Sequence, residues 1–584
     1  MRRVNFRGPA ILARMWARER AGLAAVARGD RPADRYLRGG RLVNVHTGEI
    51  YPANVAIRGE RIAYVGSRDD MVGPRTEVID AGGHLLVPGY IEPHAHPVNL
   101  VTPAALARHV LPLGTTAIVG DNISLYLPVG EAGFRRAVAA LDRAPLRFYW
   151  MVRPHGQSAA RGEQRHFPLS ALRRLLALPS VLAVGEVTRW PDVYAGHPPT
   201  LARLALGPAH GKRIEGHTAG AGPERLAVLA AAGLTSDHEP ITAEEALARA
   251  RLGIAVMLRE SSLRPDLRAL LAPFVRGGAL GRLMLTTDGS MPAHVARHGF
   301  VDHLVRIALE AGVAPVDAYR MVTLNPATYY GRDADLGSIA PGRFADVLLL
   351  RDLAEPRPAL VVARGRVAAR DGQLLAAVPE PPWRRIFTAR ATGFGRRWRA
   401  RPEDFALPAG PLPAMRLTSA VITRLETRAA APGDVCAALV DRGGRWIAAT
   451  ALAGFAPALD GLAATLSTDY QLVALGRRPA SVAAAVNRVL ALGGGIALAE
   501  GDRVLFELAL PVGGLMSTRP LAEIAAREDE LRALLEARGY AFHEPLFTIL
   551  FLAADFLPAV RLSSRGVWDV RHRRVLRAAR LRRD

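Results

Sequence analysis

Between residues 86 and 288 the sequence alternates short apolar runs with helical stretches, and this alternation restricts the fold more than any other feature of the chain. The runs fall at residues 86–93, 115–121, 146–152, 181–187, 213–217, 234–238, 254–258 and 283–288. Strands this uniformly apolar, separated by helices, belong to a parallel sheet covered on both faces. Eight such units in succession predict an α/β fold of the closed (β/α)8 type, since an open doubly wound sheet usually has fewer strands.

The pattern changes on either side. Residues 1–34 read as an arginine-rich helical lead-in. From Arg41 onward, tight turns at His46-Thr47-Gly48 and Arg58-Gly59-Glu60 punctuate strand-like runs at 54–57 and 62–65, and a hairpin returns at 361–375, turning near Asp371-Gly372. A small β-sheet domain is therefore expected from residues 35–85 together with 346–376, flanking a barrel over 86–345. Residues 377–413, rich in proline and arginine, read as a linker. Residues 414–584 form a C-terminal α+β domain with an amphipathic helix at 521–538. Its Gly493-Gly494-Gly495 and Gly513-Gly514 lack the spacing of a dinucleotide loop, so turns and close backbone packing are expected there.

The formal charge of +22 raises the question of a polyanion partner. Lys212 is the sole lysine, and the arginines are spread through every segment without forming a stripe, the mark of a compositional bias; no nucleic-acid partner is expected. Cys436 is the single cysteine, which excludes an intrachain disulfide and a thiolate zinc cage and points to a reducing cytoplasm. The apolar stretches at 9–15 and 546–554 are too short for a membrane span, so no membrane partner is expected. A homo-oligomer is compatible with the chain.

The chemistry lies where the strand-like runs end. His94 and His96 are two residues apart, a spacing that puts both imidazoles on one face of an extended chain. Glu186, His217, His238 and Asp288 each close a different run, and in a barrel of this kind that end is the catalytic face. Core packing does not account for six metal-compatible side chains on one rim. Six ligands exceed the need of one tetrahedral ion, so two divalent cations are expected with Glu186 bridging them, and the nitrogen and oxygen donors suit manganese, iron(II) or zinc. Such ions generate a nucleophile from water near neutral pH. Asp288 is then the candidate to take up the proton and deliver it to the leaving group, with Glu186 and His238 as its partners in catalysis.

Other residues on the same rim are candidates for substrate binding: Arg153 and His155 after the third run, Asp121 at the end of the second, and Arg259 and Glu260 after the seventh. Glu239 is placed to orient a ligand from behind. His109, His166, His210, His294, His298 and His303 fall in expected helices or loops, where packing and surface roles are ordinary.

At these residues the sequence resembles the amidohydrolase superfamily, through the run Pro88-Gly89-Tyr90-Ile91-Glu92-Pro93-His94-Ala95-His96, Asn325-Pro326-Ala327, and Gly337-Ser338-Ile339-Ala340-Pro341-Gly342. Within it the sequence is similar to the adenine deaminases, through Gly216-His217, Ser236-Asp237-His238-Glu239, Met257-Leu258-Arg259-Glu260-Ser261, Asp317-Ala318-Tyr319-Arg320-Met321 and, near the C-terminus, Pro511-Val512-Gly513-Gly514-Leu515-Met516-Ser517. The resemblance implies hydrolysis of a small purine, adenine, to hypoxanthine and ammonia, with the metal ligands carried over position by position. Three places depart from the adenine deaminase pattern. Pro97-Val98-Asn99-Leu100 stands in place of an acidic, serine-containing run, Gly120-Asp121-Asn122-Ile123-Ser124 in place of an Asp-Pro-His-Glu run, and Gly289 in place of a second acidic residue after Asp288. These loops are expected to line the substrate pocket and mark a divergent subgroup. Another aminopurine or a cyclic amide is the alternative substrate. A non-catalytic binding protein on the same fold is the alternative of another class, and the retention of all six ligands speaks against it.

Overall fold

This computed structural model describes residues 9–275, 280–394 and 398–582. Eight parallel strands form the centre: β1 Tyr90–Ala95, β2 Thr115–Asp121, β3 Arg147–Val152, β4 Val181–Val187, β5 Arg213–Gly216, β6 Ser236–Asp237, β7 Ala255–Arg259 and β8 Leu283–Thr286. Each pairs with its neighbour in chain order. The first and last strands meet at the C-terminal rim, where Ala95 bridges Asp288 and the His96 amide donates to the Asp288 carbonyl at 3.3 Å. Lower down, the Ile91 and Leu285 amides bond to the carbonyls of Val322 and Met321, so this short segment fills the remaining seam.

Side chains alternate along the strands as the two-residue period requires. Ala117, Val119, Tyr149, Met151, Ala255, Met257 and Met284 pack together inside the barrel. Ile118, Trp150, Val184, Val256, Leu258 and Leu285 face outward into the core shared with the helices. Continuing the inward series to the rim brings Asp121, Arg153, Arg259 and Asp288 to the open end.

One expected strand divides. The run at 86–93 breaks at Gly89: Leu85–Pro88 pairs with Arg35–Val43 and Val347–Leu350 in a separate sheet, and only Tyr90–Ala95 enters the barrel. A side chain at 89 would start 2.2 Å from Thr116 Oγ1, so glycine is what lets the chain pass between the two sheets. The other barrel strands start and stop within two residues of expectation.

Strands from before and after the barrel join in one sheet of nine strands, in which Leu85–Pro88 lies between Arg35–Val43 and Val347–Leu350. The hairpin at 361–375 turns twice: Leu360–Ala363 and Arg366–Arg370 are joined at Arg364-Gly365, and the turn at Asp371-Gly372 adds only the short strand Gln373–Leu374. The first described helix, Pro9–Arg28, packs on this sheet and places Leu23 and Val26 in its core.

The stretch expected to be a linker is packed down. Trp383 and Phe387 are buried, and Glu380 accepts from Thr102 at 3.0 Å and from Arg108 at 2.8 Å on the barrel. Beyond it a second sheet of nine strands carries the helix Pro479–Leu492 on one face. Two glycine turns meet under this sheet: a side chain at Gly494 would start 2.3 Å from the Gly514 Cα. The helix expected at 521–538 spans Leu521–Glu536 and buries Leu521, Ile524, Ala525, Glu528, Leu531 and Leu535, a stripe of helical period that packs on the barrel helix Pro292–His298.

Residues after 414 are stitched to the barrel at several points. Met516–Ser517 pairs in parallel with Leu100–Val101, in the loop after β1. Arg189 reaches Asp555 at 2.7 Å, and Arg573 reaches Asp192 at 2.7 Å. Pro545–Phe551 is thereby held over the open end of the barrel. Among the described residues no helix is long and apolar enough to cross a membrane.

Candidate active site

His94, His96, Glu186, His217, His238 and Asp288 converge at the rim. His94 Nε2 and His96 Nε2 lie 3.4 and 3.2 Å from Asp288 Oδ1. His96 Nε2 is 3.6 Å from Glu186 Oε2, whereas Glu186 Oε1 contacts His217 Nδ1 and lies 3.8 Å from His238 Nε2. The two oxygens of Glu186 thus face different histidines. Asp288 gets there through an uncommon backbone: its φ is +47°, a left-handed conformation that aspartate adopts more readily than most side chains. This turn lets its carbonyl close the barrel while its carboxylate stands against His94 and His96.

Two further carboxylates belong to the cluster. Glu215, on β5 two residues before His217, places Oε1 3.2 Å from His94 Nδ1 and 3.0 Å from His238 Nδ1. Glu239 lies 3.5 Å from both His217 Nδ1 and His238 Nε2. Glu215 escapes a search that stops at strand ends; the signal for it was the two-residue period, which puts positions 215 and 217 on one face. Glu92 works one layer below, accepting from the His94 amide at 2.9 Å, from Thr286 Oγ1 at 2.7 Å and from the Thr287 amide at 2.9 Å. It fixes the end of β1 against β8, and its burial pushes the carboxyl up to about 7.

Charge at the centre is heavily negative, and this sets the protonation of its parts. Burial alone would depress His217, but Glu239 and Glu186 outweigh it and raise the imidazole to about 9. Burial likewise works against an ionised Glu186, yet Arg153 and His217 hold it well below the usual carboxylate range. Asp288 is kept ionised against its burial by His94 and His96.

Of the five substrate-binding candidates, only Arg259 lines the cavity above the histidines. Its Nη1 contacts Glu239 Oε1 and lies 3.2 Å from Asp288 Oδ2. Arg153 is buried between Asp121 and Glu186, donating to Glu186 Oε2 at 2.6 Å, so it and Asp121 act on this carboxylate from beneath the cavity. His155 points its Nδ1 at the Gly156 carbonyl, 2.8 Å away, and burial depresses it far enough to stay neutral. Glu260 accepts from the Leu267 amide at 3.2 Å, at the start of the helix Leu267–Leu271.

The loops that depart from the adenine deaminase pattern do line the cavity, through Val98, Asn99, Ile123, Ser124 and Gly289. Barrel loops also contribute Leu127, Gln157, Ser261, Leu263 and Arg264, and the C-terminal region contributes chiefly Phe547, Leu550, Phe551 and Phe556, with Thr468 and Tyr470. Nothing in the strand pattern of the barrel pointed to the C-terminal residues, because they reach the site only through tertiary packing.

The donor set fits divalent cations. Groups such as His94, His96 and Glu186, or Glu186, His217 and His238, present one nitrogen or oxygen each within 4.8 Å of one another. The Nε2 of His94, which faces Asp288, is buried without a hydrogen bond, the condition of an imidazole waiting for a ligand. Four histidines and several carboxylates on the C-terminal rim of a parallel barrel define a metal-dependent hydrolase.

Comparison with known proteins narrows the class. The amidohydrolase family matches at residues 202–368, and the adenine deaminase C-terminal domain at residues 417–574. Adenine deaminase of Rubrobacter xylanophilus is 36% identical, covering 94% of this chain and 95% of its own. The enzyme of that name from Moorella thermoacetica is 35% identical, covering 94% and 96%. Among solved structures, a β-aspartyl dipeptidase from Fervidobacterium islandicum AW-1 aligns over 59% of this chain and 100% of its own, at 19% identity and a TM-score of 0.47. The chain belongs to the adenine deaminase family of amidohydrolases, whose members depend on divalent metal.

Proposed function

We propose that the protein hydrolyses adenine to hypoxanthine and ammonia, with His94, His96, Glu186, His217, His238 and Asp288 holding two divalent cations. The observation that carries this reading is Glu186, one oxygen toward His96 and the other toward His217 and His238, as a carboxylate shared between two ions would stand. Manganese, iron(II) and zinc all suit such donors. Cations held there would supply an acidified water and polarise the carbon under attack.

The protein's own groups do the rest. Asp288, ionised and 3.2 Å from Arg259 Nη1 through Oδ2, takes the proton of the attacking water and passes it to the exocyclic nitrogen. The ring carbon gains a C–O bond and loses its C–N bond; one water proton leaves on ammonia and the other ends on the neighbouring ring nitrogen. Arg259 keeps the Asp288 carboxylate in place, and Glu215 turns the rings of His94 and His238 by their Nδ1 atoms. Phe547, Leu550, Phe551 and Phe556 supply an apolar wall over the rim against which a flat purine ring can pack. The lone buried thiol, Cys436, supports a reducing, cytoplasmic setting.

The test is direct. Protein purified with manganese is expected to convert adenine to hypoxanthine with one ammonia released per turnover and about two ions bound per chain. Absence of turnover with a full complement of metal would overturn the reading.

A further inference from the structure

Three histidines meet on the helices that follow β8, apart from the cluster around Glu186. His294 and His298 are four residues apart on the helix Pro292–His298, a spacing that puts both imidazoles on one face. Gly299 ends this helix with a φ of +110°, and the chain turns into a second helix, Val301–Glu310, which carries His303 in its first turn. A side chain at 299 would start 2.6 Å from Asp302 Oδ1, so glycine is what allows so tight a turn. The turn brings the third imidazole back to the other two. Ring centroids are 4.7 Å apart for His294 and His298, 5.2 Å for His298 and His303, and 6.0 Å for His294 and His303.

These are the spacings of imidazoles that share an ion. With metal–nitrogen bonds of about 2.0–2.1 Å and tetrahedral angles, ring centroids around one cation stand about 5 Å apart. His303 Nδ1 is buried with no hydrogen-bond partner among the described residues. Burial, mutual repulsion and nearby arginines hold His294 down to about 3; burial, His298 and Arg306 hold His303 to about 4, and burial with Arg297 lowers His298. All three rings are therefore neutral at neutral pH and keep a lone pair to offer. The neighbouring arginines carry their own counter-charges: Arg297 reaches Asp529 at 3.1 Å, Arg306 reaches Asp302 at 3.7 Å, and Arg532 reaches Glu544 at 2.9 Å. A cation between the imidazoles thus meets little uncompensated positive charge.

We propose that His294, His298 and His303 form a metal site separate from the one at the rim, which takes one zinc, nickel or copper(II) ion and ties the helix Pro292–His298 to the helix Val301–Glu310. Three imidazole nitrogens suit these cations. In the structure His298 and His303 are stacked at 27°, so the nitrogens converge by rotation of the rings about their Cβ–Cγ bonds, a torsion with broad preferences. None of the three side chains lines the cavity over the rim, so an ion here acts on the fold rather than on substrate.

Nickel is the probe. The full-length protein, saturated with manganese, is titrated with nickel, and both metals are counted per chain after gel filtration. About one nickel is expected to bind with no manganese released, as a three-imidazole site would take. His298→Gln and His303→Gln are each expected to lower the nickel affinity at least about tenfold, since even a supporting partner of a ligand is worth that much, while the manganese content stays as in the parent. Nickel is also expected to raise the thermal unfolding midpoint of the parent and not of either variant. Nickel that fails to bind, that binds only in exchange for manganese, or that binds both variants as tightly as the parent removes the site.

Discussion

Arg153 grips Glu186 at two points: Nη2 donates to Oε2 at 2.6 Å and Nη1 to the main-chain oxygen at 3.1 Å, while Nε is held by Asp121. All three side chains are buried, and the carboxylate they position is the one that faces both groups of histidines. Arg153, expected from its place after a strand to contact substrate, lies against Glu186 and outside the lining of the cavity.

Replacing Arg153 by methionine leaves Asp121 and Glu186 buried without their cation. Breaking a buried pair from one side costs about 3–5 kcal/mol. Urea denaturation of the metal-free protein is expected to show a loss of this size. Arg153→Lys restores charge without the two-point grip, so it should recover stability better than metal content. Equal recovery of both would show that the grip does not position Glu186.

Glu215 holds His94 and His238 by their Nδ1 atoms, at 3.2 and 3.0 Å, leaving the Nε2 atoms to face the centre. Its carboxyl is kept down to about 2; burial opposes this, and His94 with His238 outweighs it. Glu215→Gln keeps the shape and removes the charge. Metal affinity, measured by competition with a chelator, is expected to fall about 10- to 100-fold. An unchanged affinity would mean the two imidazoles are oriented by packing alone.

How much of this was legible before the structure depends on how local each signal is. His94 and His96, Glu186, His217, His238 and Asp288 could be found because each closes an apolar run, and apolar runs are read from sequence. Glu215 required the period of the strand as well as its end. The split at Gly89 was invisible to a pattern search, since residues 86–93 are equally apolar in either sheet. Phe547, Phe551 and Phe556 lie far along the chain from any barrel strand. Their place over the rim follows from contacts such as Arg189 with Asp555 and Met516 with Leu100, which only the folded chain brings together.

Asp288→Asn removes the group proposed to carry the proton while keeping a side chain of the same size. The loss of a positioned acid and base is expected to lower kcat by about 10²- to 10⁴-fold. Purine binding to the metal-loaded variant should change by no more than a few fold, because the substituted amide fills the same place beside Arg259. A variant with kcat within a few fold of the parent would remove Asp288 from the proton path.

Glu528 joins the two halves of the molecule, accepting from the Ala293 amide at 2.9 Å where the helix Leu521–Glu536 meets the helix Pro292–His298. Burial, with Glu544 nearby, pushes its carboxyl up to about 8, while the Ala293 amide and Arg532 pull the other way. A folded-state value above that of the unfolded chain means the native state keeps a proton the unfolded chain gives up. The contribution of this group is complete below about pH 4.5 and is lost as pH rises toward about 8, at up to about 1.4 kcal/mol per pH unit. Glu528→Gln retains a polar side chain of similar size and cannot ionise. The stability of the variant relative to the parent, taken from urea midpoints at pH 5 and pH 8, is therefore expected to improve at the higher pH. Parallel pH profiles for the two proteins would show that Glu528 is already ionised in the native state and that Arg532 neutralises it.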